Sequence, residues 1–509
     1  MARGARIYIR ASFPAYRWIW DARVLVVKTS VASLTLKGIF PSCQDSARFW
    51  GAARPKARIT LNLRSTLLTV SFLVAGSSLV WAAPNIKDSW HQWRGPNNNG
   101  VAVGDAPLHF SGTENVKWRT KIPGKGNSTP VIWGDTIYLT TAVPTEPVPV
   151  QPEAPAAGQG GPPRRGGSSG GEAALVQHKF VVMAIDKNSG KVIWERTATE
   201  QKPHEGYHRQ YGSFASNSPL IDDGMLYVNF GSRGFYAYDL EGNLKWKKDL
   251  GKLVMRLSFG EGIAPVIHGN RLIIQNDQEE QSYIVVLDKR DGKELWRAER
   301  EERSSWPQPL VVEYEGRAQV VTSATRVRSY DLETGELIWE AGGLGGNAIP
   351  AVVNVDNEMV IAMTGWRDAN ALAIKLGGKG DLTGNAEYIK WSNQKGNSYT
   401  PSPALHDGIL YFISDRGMAS AVDAKTGEAF YLQERLPEVY SFKASPVAAN
   451  GKLYLATEQG DVVVLKLGKT YEVLTTNKMG DEMFVSSPVI VGGDLFLRSQ
   501  DELFCISSD

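Results

Sequence analysis

The chain has 509 residues, 42% hydrophobic and 22% charged, with a formal net charge of +2. That balance is globular, and so small a charge gives no basis for a nucleic-acid or anionic-membrane partner. Two cysteines, Cys43 and Cys505, exclude a disulfide framework, whereas 51 glycines, 15 tryptophans and 18 tyrosines predict many turns between aromatic-rich strands.

In chain order, residues 1–60 are Arg-rich, poor in acids and without sustained periodicity, and read as an over-extended gene start or a disordered N-terminus. An alternative start near Leu61 leaves a signal peptide of ordinary length over 61–83. The stretch RSTLLTVSFLVAGSSLVWAAPN, Arg64 to Asn85, runs from basic to apolar to small residues, with Val80 and Ala82 suiting cleavage after Ala82. As an uncleaved anchor its apolar run of about 18 residues is barely long enough to span a bilayer. Cleavage there leaves no cysteine at the new N-terminus, which argues against a lipid anchor by this route, so membrane association is expected through the N-terminal segment only. Residues 84–114 read as an N-terminal extension.

From residue 115 a repeat dominates. Its mark is a proline preceded by small or polar residues and followed by aliphatics, at Pro130, Pro219, Pro265, Pro309, Pro350, Pro403, Pro446 and Pro488. The intervals are mostly about 40 to 50 residues, the length of a four-stranded propeller blade. Each mark opens a strand, a Gly/Asp/Asn turn, a second strand such as MLYVNF or ILYFIS, and a third ending near aspartate. Then comes DxxTG or a relative (Asp186–Gly190, Asp288–Gly292, Asp331–Gly335, Asp423–Gly427) and a fourth strand with an aromatic, such as Trp194, Trp246, Trp296, Trp339 or Trp391. In that turn aspartate accepts from the turn amides and glycine supplies a positive φ. A calcium loop is not supported, because further ligand positions and a closing glutamate are absent.

Eight prolines give eight first strands, yet the chain ends after the third strand of the last unit. NVKWRTKI (Asn115 to Ile122), with Trp118 in the fourth-strand style, supplies the missing strand and hides two edges. The expectation is all-β: one eight-bladed propeller over 115–508, closed by its N-terminal strand. Residues 143–178, rich in Pro, Gly and Ala, read as a disordered insertion between strands two and three of blade 1. Cys505, in the apolar run LFCI, reads as a small core residue.

The repeated S-P-V-I, L-Y, A-x-D-x-x-T-G and W resemble the PQQ-type propeller repeat, a family that includes quinoprotein alcohol dehydrogenases and BamB-like outer-membrane assembly factors. With HQWRGPNNNGV (His91 to Val101) before blade 1, the layout over about residues 88–508 is most similar to BamB-like secreted propellers of bacteria. The resemblance implies a fold strongly and an activity weakly, because the repeat consists of packing and turn residues. Its dehydrogenase branch implies PQQ over a disulfide of adjacent cysteines, a tryptophan beneath, a calcium ion and an aspartate base. This chain has no adjacent cysteines, so no cofactor is firmly implied and PQQ with calcium belongs to the alternative reading.

HEGYH (His204 to His208) matches a zinc-protease pattern, but Pro203 and Gly206 break any helix and no third ligand is evident. The glycine cluster Ala341 to Asn347 lacks the strand-to-helix context of a nucleotide loop. What remains is the face of the ring. Turns between strands two and three place Arg233, Asp277, Glu279, Arg326, Trp366, Arg367, Asp415, Arg416, Glu458 and Asp501 there. Entering loops add Trp306, Tyr211, Asn347, Tyr399, Phe442 and Phe484. Arginines with aromatics favour a protein or peptide partner. The sequence therefore predicts no catalytic or metal residues and an exported, periplasmic or outer-membrane-associated scaffold with envelope partners. A quinoprotein oxidoreductase and a carbohydrate-binding propeller are the alternatives.

Overall fold

Short aliphatic strands that begin just after each proline form the inner wall of a ring. The computed structural model describes residues 89–148 and 175–508, all within one compact unit, Trp81–Asp509. The expectations for residues 1–60 and the signal segment 61–83 lie outside the described residues, as does most of the 143–178 insertion.

Eight sheets, each built on four antiparallel strands, make eight blades, and two of them carry a short fifth strand. Blade 1 comprises Val131–Trp133, Thr136–Pro144, His178–Asp186 and Val192–Gln201. Inner strands are buried on both faces, as in Ile409–Ile413, whereas fourth strands such as Val116–Lys121 alternate half-buried and exposed positions. Blade 8 takes its fourth strand from Val116–Lys121, paired antiparallel with Glu502–Ile506 in the register Trp118↔Cys505 and Lys121↔Glu502. The ring closes as the sequence predicts. Cys505 is buried in this sheet, and burial pushes its thiol pKa up.

Two contacts explain the repeat. First, fourth-strand indoles donate to the carbonyl just after the turn aspartate of the next blade: Trp118 to Lys187 (2.9 Å), Trp194 to Leu240 (3.0 Å), Trp246 to Lys289 (3.1 Å), Trp296 to Leu332 (2.9 Å) and Trp391 to Ala424 (3.0 Å). The turn glycine lies against that ring. A Cβ on Gly190 would come within 2.6 Å of Trp118, and its φ of 71° is one L side chains rarely adopt. Blade 5 lacks a DxxTG turn, and Trp339 of blade 4 is fully buried with its indole nitrogen unpartnered.

Second, the hydroxyl of the residue before the proline ties neighbouring blades together. Backbone N–H groups of Ala351, Ser402, Ser445, Ser487 and Thr129 donate to the hydroxyls of Ser402, Ser445, Ser487, Thr129 and Ser218, at 2.9 to 3.1 Å. This belt crosses five consecutive junctions, from blade 5 round to blade 2. It satisfies buried backbone donors that strand pairing leaves open.

Two features depart from the sequence expectation. Ladder pairing runs into the expected insertion, with Val143↔Lys179 and Pro144↔His178, because the hairpin keeps its hydrogen bonds past the apolar run. The connection between strands three and four of blade 5 also adds Gly380–Asp381 in parallel to the outer edge of blade 4.

Candidate functional site

The entering loops place the residues just before each first strand around the ring axis. There they line a pocket of about 200 Å³ to which all eight blades contribute, from Asn127 and Thr129 of blade 1 to Val485 and Ser487 of blade 8.

One end of the axis is crossed by the N-terminal extension. Trp90 pairs with Ile132 of blade 1, the His91 carbonyl accepts from Ile221 of blade 2 (2.8 Å), and the Asn99 carbonyl accepts from Leu405 of blade 6 (3.0 Å). Ala102 and Ala448 of blade 7 complete the crossing through an N–H···O bond of 2.8 Å. Arg94, 1% exposed, fastens the segment by donating to the Pro403 carbonyl (2.8 Å) and the Pro446 carbonyl (3.2 Å). Burial lowers its pKa to about 9. A Cβ at Gly100 would sit 2.0 Å from that guanidinium, so only glycine fits. The motif HQWRGPNNNG is thus a strap across the channel, and its Trp93 lines the pocket.

Aromatic faces form much of the remaining wall. His208 stacks on Tyr211 with centroids 3.7 Å apart and 14° between planes. Trp306 donates its indole N–H to the Gly260 carbonyl (2.9 Å), and Tyr399 lies 5.3 Å from Trp366. Burial, then Lys443 and Lys125, lowers the His208 pKa to about 4, so the ring is neutral at neutral pH. Its Nδ1 is buried without a hydrogen-bond partner.

Charges at the pocket are paired within the protein. Lys443 Nζ lies 4.8 Å from the Tyr211 ring centre, 3.0 Å from Asp415 and 3.8 Å from Glu458. Asp415 also accepts from the backbone of Tyr399 (3.0 Å) and Thr400 (2.9 Å). Burial raises the Glu458 pKa. Glu261 accepts from Arg233 (2.7 Å) and from the N–H and hydroxyl of Ser232 (2.6 and 2.7 Å).

The expected rim residues therefore fall in several places. Trp306, Asp415 and Glu458 gather at or beside the pocket. Trp366, at 43% exposure, Arg367 and Arg416 stand exposed on the surrounding face. Arg233 is inside the wall, clamped to Glu261. Asp277 is wholly buried, paired with Arg300 at 2.7 Å and accepting from Ser305 (2.6 Å). Glu279 accepts from Ser304 (2.8 Å) and Arg303 (3.1 Å). Arg326 is paired with Glu340 (3.0 Å) and Asp381 (2.9 Å). Asp501 is exposed, and its carbonyl receives Ile122 N–H (2.7 Å). Of the entering-loop aromatics, Tyr211 and Tyr399 line the pocket whereas Phe442 and Phe484 are fully buried core. Sequence reasoning missed Trp93, His208 and Lys443, which carry no periodic signal, although Lys443 adjoins Phe442.

HEGYH is not helical. His204 contacts the Leu253 carbonyl (2.8 Å), Glu205 accepts Met255 N–H, and His208 joins the pocket wall. His204, Glu205 and Glu261 bring ligand atoms within 4.8 Å of one another, the one such trio among the described residues. All three are engaged by protein partners. Burial lifts the Glu205 pKa to about 7.

Ring, repeat and axial pocket define a β-propeller of the PQQ-repeat class. The chain belongs to the family described as outer membrane protein assembly factor BamB, whose profile matches residues 145–280, 179–431 and 280–509. Among solved structures it is similar to a europium-containing methanol dehydrogenase, with 10% identity, TM-score 0.54, and coverage of 81% of this chain and 89% of that one. It is similar also to quinohemoprotein alcohol dehydrogenase from Comamonas testosteroni, with 11% identity, TM-score 0.53, and coverage of 84% and 81%. BamB from Moraxella catarrhalis aligns at 13% identity and TM-score 0.46 over 64% of this chain and 90% of that one. At these identities the two dehydrogenases carry the fold alone. No curated protein sequence matches the chain significantly.

Proposed function

We propose that this protein is a non-catalytic binding propeller of the bacterial cell envelope, exported to the periplasm or the outer membrane, that engages protein or peptide partners. The observation that carries the reading is an exposed cluster of interface-type residues, Trp366, Arg367 and Arg416, beside a pocket whose own charges are neutralised internally. Exposed tryptophan and arginine are the residue types that dominate protein interfaces. Family membership and the signal-like segment Arg64 to Asn85 support the compartment. No helix among the described residues is long and apolar enough to cross a membrane.

The fold family also includes quinone enzymes, and the residues present do not fit that cofactor. PQQ is a planar tricarboxylate, and the resemblance implies a calcium ion beside it. Here the pocket cation Lys443 is already held by Asp415 and Glu458, and Glu261 is held by Arg233 and Ser232. A carboxylate engaged in this way is a poor calcium ligand, and breaking a buried pair to free it is costly. Cys505 lies in the blade 8 sheet.

The test is affinity capture from envelope extract with wild type, Trp366→Ala and Arg416→Glu. The reading expects specific partners that both variants lose or retain weakly; an identical partner set in all three sinks the rim assignment. A thermal shift with PQQ and calcium, accompanied by dye-linked alcohol oxidation, overturns the non-catalytic reading.

A further inference from the structure

We propose that the entering-loop face of blades 5 and 6 recognises an acidic peptide segment, a run of aspartates and glutamates that carries an apolar side chain. The inference rests on the protein-binding reading above and names the chemistry of the partner.

The first observation is where unmatched cations stand. Among the described residues, the charged groups of Arg367, Lys395, Arg416 and Arg435 are exposed and have no carboxylate partner. Chain topology puts all four on one side of the ring. Arg367 and Arg416 lie in turns between strands two and three, and Lys395 lies in the loop entering blade 6. Arg435 ends the outer strand Ala429–Arg435 of blade 6 and pairs with Met418, beside the Arg416 turn. Arg256, in the loop entering blade 3, also lacks a carboxylate, and its charge acts on the Tyr399 hydroxyl. The unpaired carboxylates nearest these cations in sequence, Asp368 and Glu434, leave the sector positive. Arginines on the opposite side of the ring are matched: Arg271 with Glu333, Arg290 with Asp288, and Arg317 with Asp331.

The second observation is a fixed apolar platform among these cations. Trp366 is exposed yet packed against Tyr399. The two residues after it hold positive φ, 26° at Arg367 and 53° at Asp368. Such backbone persists only where neighbours over-determine it, and here two glycines do so. A Cβ at Gly345 would come within 2.3 Å of the Arg367 carbonyl, and one at Gly365 within 2.4 Å of the Tyr399 nitrogen. The turn is thus held before any partner arrives, so little ordering entropy remains to be lost on binding.

The third is the charge of the rest of the face, which selects a peptide. Arginine forks match carboxylates in pairs. One exposed ion pair contributes little, so recognition needs several carboxylates at once. The same face exposes Asp481 at the entrance to blade 8 and Asp501 within it. An anionic bilayer laid over the whole face meets those like charges, whereas a short acidic segment confined to blades 5 and 6 does not.

The experiment is fluorescence anisotropy on the purified full chain. The probe is a labelled Asp/Glu peptide with a central leucine; its Asn/Gln isostere and phosphatidylglycerol vesicles are the comparisons. The acidic peptide is expected to bind saturably, about tenfold or more tighter than its isostere, and to weaken as salt rises from about 50 to 300 mM. Arg367→Glu and Arg416→Glu should each weaken it about threefold or more, and Trp366→Ala should weaken both peptides. Lys293→Glu makes the same charge change on the opposite side and should leave binding as it is. Four results overturn the proposal: equal binding of the two peptides, wild-type binding by folded Arg367→Glu and Arg416→Glu, equal weakening by Lys293→Glu, or tighter binding of vesicles than of the peptide. If any of these occurs while envelope capture still depends on Trp366, the acidic-segment proposal falls and the protein-binding reading stands. Acidic-peptide binding with no captured partner gives the reverse.

Discussion

The indole of Trp118 donates to the Lys187 carbonyl at 2.9 Å and covers Gly190, which joins the closing strand of blade 8 to the DxxTG turn of blade 1. The same pair of elements recurs round the ring, but at this junction the contact also fastens the N-terminal strand. Ring closure therefore rests on more than the ladder with Glu502–Ile506.

Trp118→Ala should lower global stability by about 2–3 kcal/mol, less than a wholly buried tryptophan because the ring is half-buried. Gly190→Ala should cost at least about 1 kcal/mol by combining a positive φ with a clash into Trp118. Urea unfolding followed by tryptophan fluorescence checks both. If the chain unfolds in more than one step, the transition assigned to blades 8 and 1 should move first.

The belt of hydroxyls makes a second prediction. Ser445→Ala or Ser487→Ala leaves a buried N–H of the preceding blade without its acceptor, at a cost of about 1–3 kcal/mol each. Glycine at either position should be no better, because it supplies no oxygen either. Equal stability of wild type and both alanine variants would remove the belt from the account of the repeat.

Asp277 separates structural from interface roles. Its removal strands the fully buried Arg300 guanidinium, so Asp277→Ala should destabilise by about 3–5 kcal/mol. Arg416→Glu, on an exposed side chain, should leave the melting temperature within a few degrees. Thermal melts beside the affinity capture distinguish loss of fold from loss of partner.

Acid should act through His208. Its ordinary pKa of 6.5 falls to about 4 in the fold, so the unfolded chain binds the extra proton between these values. Stability therefore falls as pH drops from about 6.5 to 4, by on the order of 1–2 kcal/mol once partial exposure is discounted. Glu205 acts in the opposite sense. Its pKa rises from 4.5 to about 7, and the stability this adds at low pH is lost as pH climbs between those values. His208→Phe should flatten the acid side of the profile, and Glu205→Gln the neutral side, in denaturant midpoints measured across pH 4 to 7.5.

The fold was legible because proline, turn glycine and tryptophan recur in register, and the hydroxyl before the proline, the glycine and the indole each make a contact between blades. Closure by Asn115 to Ile122 followed from counting strands. The pocket was less legible for a physical reason. His208, Lys443 and Trp93 lie in irregular segments, where no period reports which way a side chain points, and they meet only because eight blades converge. Asp277 looked like a surface turn residue because its partner Arg300 stands at the end of a fourth strand, and sequence order does not reveal that pairing. HQWRGP was visible as a motif, but its work as a strap depends on carbonyls at Pro403 and Pro446, some three hundred residues downstream.

The strap has a consequence for biosynthesis. Asn99 and Ala102 find their partners, Leu405 and Ala448, only after blades 6 and 7 exist, and Val116–Lys121 waits for the last strands of the chain. The earliest-made segments of the ring are thus the last to be seated. A nascent or truncated chain carries an open flank on blade 1 and unpaired edges that favour association with other chains. Any chain that stops short of blade 8 leaves Val116–Lys121, with Trp118, as an aromatic strand without its ladder partner.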